Sequence, residues 1–506
     1  MVKKPITRRD FIKGAGFALS SAVLAACAPQ TVTVPVTQIV QQTSVVTVPV
    51  VQTQVVEQTV QSVITATPAP TNTAAPAVMD IWWNADIPDL TTAEWKNDPN
   101  DPVFKKEWYW GGLARVKFLP WLKAHPGVTM KITTHSWDAD LRQNQLMALA
   151  SGLIPDTTYG EAYVNEFVQL GVYNTVSNDK AALFAEGSTR GSTLDGKHYG
   201  LPKSSGADAL FINLTLWQKA GLDKTKLPTT WDDLVKACQA ISKINHSDKW
   251  GNTCYYTYGP GGSSYGQAMR ILQWFNQNNA PLGSDTGVPS ANVPGAADTW
   301  VFHNQLMWTS TENLINQAEG EGGSGKLFND GVIAIKPGWN NDATSVGDGN
   351  IDGTAIPFPL PPNGKPATIV IGNDVESPLL HGPNPDLAVN LIEENVPNPD
   401  AQAFLANNCG IWIPALKSQL EQYQTFDQLN GYKTDTAKNI VRTTMNILLN
   451  GGAGPLPGWP KNGSNIWTEW NDMYGRIWKN KESKDAIQKE LDTLQKDIQG
   501  FVAKTG

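Results

Sequence analysis

The chain alternates short apolar runs with longer stretches in which apolar residues recur at helical spacing. Met79–Trp83, apolar but for Asp80, gives way to Asn84, Ala85 and Asp86, which predicts a short strand. Val116, Leu119 and Leu122 then keep helical spacing over Leu113–His125, Val128–Thr134 predicts a second strand, and Leu141–Ala150 an amphipathic helix closed by Ser151-Gly152. Asp195-Gly196 signals a tight hairpin turn, and the run Leu210-Phe211-Ile212 predicts a buried strand. A helix near Leu216–Ala220 stops at Gly221, where a left-handed residue costs least. Thr230 is placed to cap the next helix through the amide of Asp233, and Leu234, Val235, Cys238 and Ile241 form its apolar face. Further on, the pattern predicts a strand over Gly251–Gly259, helices over Gln267–Asn278 and Asp298–Ile315, a strand at Val332–Ile335, and a closing helix over Lys481–Phe501. Strands alternating with helices predict an α/β fold, and 506 residues favour two or more globular units.

The first 78 residues break this pattern. Thr7-Arg8-Arg9-Asp10-Phe11-Ile12-Lys13 matches a twin-arginine export signal, and the apolar stretch Gly14–Ala26 after it is too short to span a bilayer. Leu24-Ala25-Ala26-Cys27 resembles a lipobox, in which the Cys27 thiol is lipidated and becomes the new N-terminus; the plainer reading is an ordinary signal peptide with an incidental cysteine. Residues 28–78 carry no Lys or Arg, a single acid (Glu57) and six prolines, so they predict a flexible tether, with a transient Val/Thr strand as the competing reading. As a coil, such a tether reaches on the order of 40 Å.

The stretch from Asp195 to Ile241 holds the most specific pattern. Asp195–Pro202, Ala209–Asn213, Ala220–Asp223 and Pro228–Leu234 reproduce, in order, the motifs "dGK-YGlP", "aLfyN", "aGld" and "P-TWdel" of family 1 extracellular solute-binding proteins, the sugar-type receptors of ABC importers. The resemblance continues through Pro155–Tyr159, Phe328–Ile335, Pro357–Gly364 and Asn384–Asn395, and covers about Met79 to Phe501. It implies two α/β lobes of the periplasmic-binding-protein type joined by hinge-crossing strands, with residues 79–208 and 334–379 in the N-terminal lobe and 209–333 and 380–506 in the C-terminal lobe. Ala209–Phe211 is then one crossing, paired with the return strand near Val332–Ile335. It also implies a saccharide ligand captured between the lobes, an ABC transporter permease as partner, attachment to the membrane through a lipid anchor, and no chemistry on the ligand.

Candidate ligand contacts follow from where the resemblance puts the cleft. Trp83, Trp339 and Trp467 are candidates to stack on a sugar ring, against the ordinary role of tryptophan as core. Asn84, Asp86, Glu161, Tyr163, Asp208 and Asn373 are candidates to bind hydroxyls, against simple solvation. The Trp-rich segment Pro88–Gly112 is either a loop over the cleft mouth or a packed surface insertion.

Composition and chemistry narrow the function further. Removing residues 1–27 leaves 34 basic and 46 acidic residues, a net of −12, a poor footprint for nucleic acid. Cys238 and Cys254 either bridge or leave Cys238 as a free thiol on its helix's buried face. No metal site is predicted: Asp348–Gly353 mimics half a calcium loop, but its twelfth position is Pro359, which has no carboxylate. Hydrolase, zinc-protease and nucleotide-binding motifs are absent and no cofactor is implied. The alternative function is a surface-tethered, secreted carbohydrate-active enzyme, since plentiful Asp and Glu leave a carboxylate pair open.

Overall fold

The computed structural model describes residues 77–503, apart from 92–93, 137, 161–163, 245–252, 256–268, 284–289, 308–326, 349–350, 370–373, 426–428, 451–452, 455–462 and 480–481. The signal with Cys27, most of the tether, and Glu161, Tyr163 and Asn373 therefore lie outside the described residues.

Two larger sheets organise the described chain. In the first, the strands run in the order Val128–Thr134, Ala77–Trp83, Thr157–Gly160, Val375–Pro378 and Leu201–Pro202. The opening strand is parallel to both of its neighbours, and Val375–Pro378 is antiparallel to the two strands it joins. Parallel neighbours need long crossovers, and the helices Pro102–Ala124 and Asp138–Ala150 supply them. The opening strand starts at Ala77, which pairs with Val128, so it takes the last two residues expected in the tether. In the second sheet the order is Gly353–Ile356, Asp208–Asn213, Ile333–Trp339 and Thr253–Tyr255. Asp208–Asn213 is buried along its whole length, as a strand covered on both faces must be.

Local signals in the sequence act as read. Asp195 and Gly196 both take positive φ, 51° and 72°, at the hairpin turn, and Gly221 takes 75° at its helix end. The Thr230 side chain accepts from the amide of Asp233 at 3.2 Å and caps Trp231–Ile241. Cys238 on that helix and Cys254 on the second sheet form a disulfide with a Cα–Cα distance of 5.0 Å. A loop of this size contributes roughly 3 kcal/mol by restricting the unfolded chain.

Two expectations need correction. Residues 88–112 are not all loop: the helix Pro102–Ala124 begins inside them, capped by the Asp101 carboxylate, which accepts from Val103 at 2.8 Å. Its one non-helical residue, Trp108 (φ 51°), lets Tyr109 and Trp110 turn into the first core. The return strand Ile333–Trp339 pairs with the crossing strand, with Ile212 opposite Ile335, Phe211 opposite Lys336 and Ala209 opposite Gly338. Gly338 is required there, because a Cβ would sit 2.7 Å from the Phe211 ring. The return strand also stays in the second sheet, and so does Gly353–Ile356; the chain rejoins the first sheet only at Val375. The strands Ile333–Trp339 and Gly353–Ile356 thus do not belong to the first sheet. Conversely the helices Pro385–Asn395 and Pro399–Cys409, expected in the C-terminal lobe, bury Leu391, Phe404 and Leu405 in the core of the first sheet. Hydrophobic matching decides this: Tyr109, Trp110, Leu113 and Trp121 of the helix Pro102–Ala124 need an apolar partner on that side.

The second core contains one buried imidazole. His303 sits edge-on to Trp300 and Tyr474, and burial holds its pKa at about 3. The unfolded chain takes up this proton near pH 6.5 and the folded chain does not until about pH 3. Stability from this group is therefore complete above pH 6.5 and falls by roughly 1.4 kcal/mol per unit as pH drops below it. Urea unfolding at pH 7 and pH 5 checks this, and His303→Gln should flatten that part of the difference.

Candidate functional site

The ends of the first sheet's strands converge on a buried charge cluster. Trp83 and Asn84 end the opening strand, Lys203 follows the strand Leu201–Pro202, and Asp374 and Glu376 flank the start of Val375–Pro378. The Lys203 ammonium pairs with Asp374 at 2.9 Å and donates to the Asn84 carbonyl oxygen, while the Asn84 amide donates to Asp374 at 3.3 Å. The Trp83 indole donates to Glu376 at 2.8 Å, and the other oxygen of Glu376 takes Lys117 from the helix Pro102–Ala124. All four charged side chains are at most 3% exposed, two of each sign.

An unpaired buried charge costs several kcal/mol, so such groups persist only when matched and hydrogen-bonded. Here the matching is one to one. Aromatic faces complete the shell around Lys203: the ring centres of Trp110, Tyr159, Trp83 and Trp412 lie 4.6, 5.2, 5.6 and 5.9 Å from its Nζ. Burial lowers the Lys117 pKa to about 8, with Glu376 opposing, and burial raises that of Asp374, with Lys203 opposing. The cluster is a dry, internally satisfied block with its donors and acceptors turned on one another.

The second sheet supplies the facing edge. Asp208 opens the crossing strand and stands directly opposite Trp339, the last residue of the return strand. Trp339 is half-buried and packs 6.4 Å from Trp412, which lies 4.8 Å from Trp110, which in turn lies 5.7 Å from Trp83. A continuous row of indoles thus runs from a partly accessible ring to the charge cluster. Asn341 fixes Trp412 by accepting its backbone amide at 2.7 Å, and Asn340 donates to Asn341 at 3.2 Å. A further crossing joins the sheets here, since Ser205 and Ile413 exchange both backbone hydrogen bonds, at 2.8 and 3.1 Å. Lys336 on the return strand is fully buried, pairs with Asp342 at 3.1 Å and lies over the Phe211 ring.

Of the residues singled out from sequence, Asp208 and Trp339 come together as cross-strand partners. Trp83 and Asn84 lie nearby, but not in the roles expected of them. Trp83 is 1% exposed, with its ring against Trp110 and Phe118 and its N–H on Glu376, so it is a wall of the core and not a stacking face. Asn84 is 4% exposed and its amide serves Lys203 and Asp374. Asp86 is exposed and accepts the amide of Thr134 at 2.8 Å, tying the opening strand to its neighbour. Trp467 lies on the helix Gly463–Lys479. Cys409 is a half-buried thiol whose pKa burial pushes up to about 12, far from a nucleophile's range. Sequence reasoning missed Lys117, Lys203, Asp374, Glu376, Trp110 and Trp412. One signal was present: Lys117 falls four residues from both Leu113 and Trp121, on the stripe that this helix buries.

Residues 101–407, more than half of the chain, match the family described as bacterial extracellular solute-binding protein. The chain belongs to this family. A protein of Brucella abortus (strain 2308), named only as a binding protein, is 33% identical over 132 residues, which are 25% of this chain. The chain spans 31% of the length of that curated relative. Among solved structures, the cyclic alpha-maltosyl-1,6-maltose binding protein of Arthrobacter globiformis superposes with a TM-score of 0.62 at 15% identity, over 83% of this chain and 98% of the other. The sugar-binding protein MalE of Xanthomonas citri gives 0.62 at 18% identity, over 83% and 97%. UgpB of Mycobacterium tuberculosis, solved with glycerophosphocholine, gives 0.57 at 15% identity, over 78% and 96%. These likenesses establish the two-lobe fold of periplasmic-binding-protein type.

As a solute-binding protein the chain works outside the cytoplasm. Its family is one of binding proteins. Among the described residues no helix is long and apolar enough to cross a membrane.

Breaking the buried cluster on one side should cost more than removing a pair. Lys203→Met leaves Asp374 without its cation and should lower stability by about 3–5 kcal/mol. Lys203→Met with Asp374→Asn should regain at least half of that in urea unfolding.

Proposed function

We propose that this solute-binding protein is a membrane-tethered receptor that captures a saccharide between its lobes and delivers it to an ABC transporter permease. One observation carries the ligand assignment: Trp339, half-buried and packed on Trp412, stands opposite Asp208 where the lobes join. An indole face suits a sugar, whose ring carries apolar C–H faces, and the Asp208 carboxylate, fully buried across from it, is assigned to the wall behind. Asp86, Glu161, Tyr163, Asn373 and Trp467 are assigned as further contacts, with Trp83 and Asn84 behind them as supporting wall. The cyclic alpha-maltosyl-1,6-maltose named for the structural relative from Arthrobacter globiformis, and the sugar binding named for that from Xanthomonas citri, favour a sugar over other solutes.

In the same reading the twin-arginine motif exports the chain, Cys27 is lipidated, and residues 28–78 hold the receptor at the membrane. The ligand closes the lobes about the crossing strands, and the closed form docks on the permease. A thermal-shift series over mono- and oligosaccharides should find one that raises the melting temperature in a saturable way. Trp339→Ala should then weaken that ligand about tenfold without changing the unligated melting temperature. Unchanged affinity removes Trp339 from the site, and shortened saccharide products overturn the receptor reading. Cys27→Ala should move the protein from the membrane to the soluble fraction of cells.

A further inference from the structure

The first sheet has another end, away from the charge cluster. Its opening strand starts at Ala77 and ends at Trp83, and a strand of seven residues spans roughly 20 Å. Three loops surround that start: 151–156 before the strand Thr157–Gly160, 170–173 after the helix Val164–Gln169, and 379–384 after the strand Val375–Pro378. The buried Asp156 carboxylate knots them together. It accepts from the backbone amides of Asp80 and Asn384 at 2.9 and 2.6 Å, and from the Asn384 side chain at 3.2 Å. The same side chain donates to the Val78 carbonyl at 3.1 Å. Leu379 donates to the Asp156 carbonyl and Leu380 to that of Val172, both at 2.9 Å.

This end of the lobe is greasy. Leu153, Val78 and Leu170 are 63, 60 and 58% exposed, and Met147, Leu380 and Ile154 are exposed beside them. Among the described residues nine large apolar side chains are exposed, and these are six of them. Scattered singly they would need no explanation, but gathered on one end they mark a contact surface. His381 is the one exposed titratable side chain of the three loops.

The chemistry of the surface favours lipid over protein. Protein interfaces anchor on Trp, Tyr and Arg, and the loops expose none of these. Lipid asks for apolar side chains, little charge and a backbone whose polar groups are already paired. The amides of Ser151, Gly152, Leu153, Leu170, Gly171 and Leu380 all donate within the protein, and Pro155 and Pro383 have no N–H to satisfy. Position adds a separate argument. Residues 28–76 join Cys27 to Ala77, the neighbour of Val78, so the chain enters the fold on this face. Tethering makes a contact with the bilayer intramolecular, and a contact too weak for a free protein is then populated.

We propose that this end of the first lobe rests on the bilayer, with Leu153, Ile154, Leu170 and Leu380 entering the boundary between headgroups and acyl chains. The docking rests on the lipid anchor at Cys27 assigned above. Docked so, the lobe turns the charge-cluster end of its sheet away from the lipid.

The lipidated full chain in phosphatidylcholine vesicles tests this. An environment-sensitive dye is placed at Gln169→Cys, exposed beside Leu170, or at Lys226→Cys, exposed on the second lobe, with Cys409→Ser in both. The emission at 169 should shift to the blue on vesicles, that at 226 should not, and the protein-to-lipid ratio should not matter. Leu153→Asp should lower the docked-to-free ratio at least about tenfold, with the melting temperature held within about 2 °C. A shift equal at both positions, or one that survives Leu153→Asp, overturns the proposal. A shift that grows with the protein-to-lipid ratio assigns the surface to a second copy and overturns it too. A chain that floats with the vesicles without a shift at 169 overturns the docking alone, and one that does not float overturns the anchor as well.

Discussion

Two lysines and two carboxylates share a dry space at the end of the first sheet, and the organisation of that lobe depends on their matching. Lys117 comes from a helix, Lys203 from the start of the first crossing, and Asp374 and Glu376 from the segment where the chain comes back. No one of these could stay charged there without its partner. The cluster therefore ties together three stretches separated by up to 259 residues. It specifies which segments meet more than it adds net stability, because the desolvation of four charges offsets much of their attraction. Aromatic rings around Lys203 keep water out and supply favourable faces to the cation.

That rigidity bears on how a receptor of this kind works. Closure by hinge motion needs lobes that move as bodies and crossings that bend. The first lobe's side of the junction is locked by the charge cluster. The second lobe's side is locked by the disulfide, by the close fit of Gly338 to Phe211, and by buried Lys336 on Asp342. Between them the described crossings are short: Lys203 to Asp208, and the segment around Ile413 paired with Ser205. Trp339 ends a strand of the second sheet and packs on Trp412, next to the Ser205–Ile413 pair.

Legibility in the sequence followed the range of the interaction. Caps and turns at Thr230, Gly221 and Asp195-Gly196 are set by neighbours a few residues away, and they were readable. The hinge strand was readable as well, since an unbroken apolar run such as Leu210–Ile212 has few other uses. Lobe membership was not, because 353–356 and 385–409 carry apolar faces that would suit either core. Trp83 and Asn84 were expected to face a ligand and are buried instead, since exposure depends on Trp110, Phe118, Lys203 and Asp374, all of them remote in sequence.

The sequence alone determined the family, the α/β class, the order of elements and the identity of the strand that leaves one lobe for the other. These rest on periodicity, turn chemistry and a motif contained in one stretch, Asp195–Ile241. Only the tertiary structure decided which charges are buried together, that Asp208 and Trp339 face each other, and where the chain rejoins the first sheet. The reason is physical: burial and pairing are properties of a site assembled from distant segments, and a residue's neighbours in sequence carry little record of its neighbours in space.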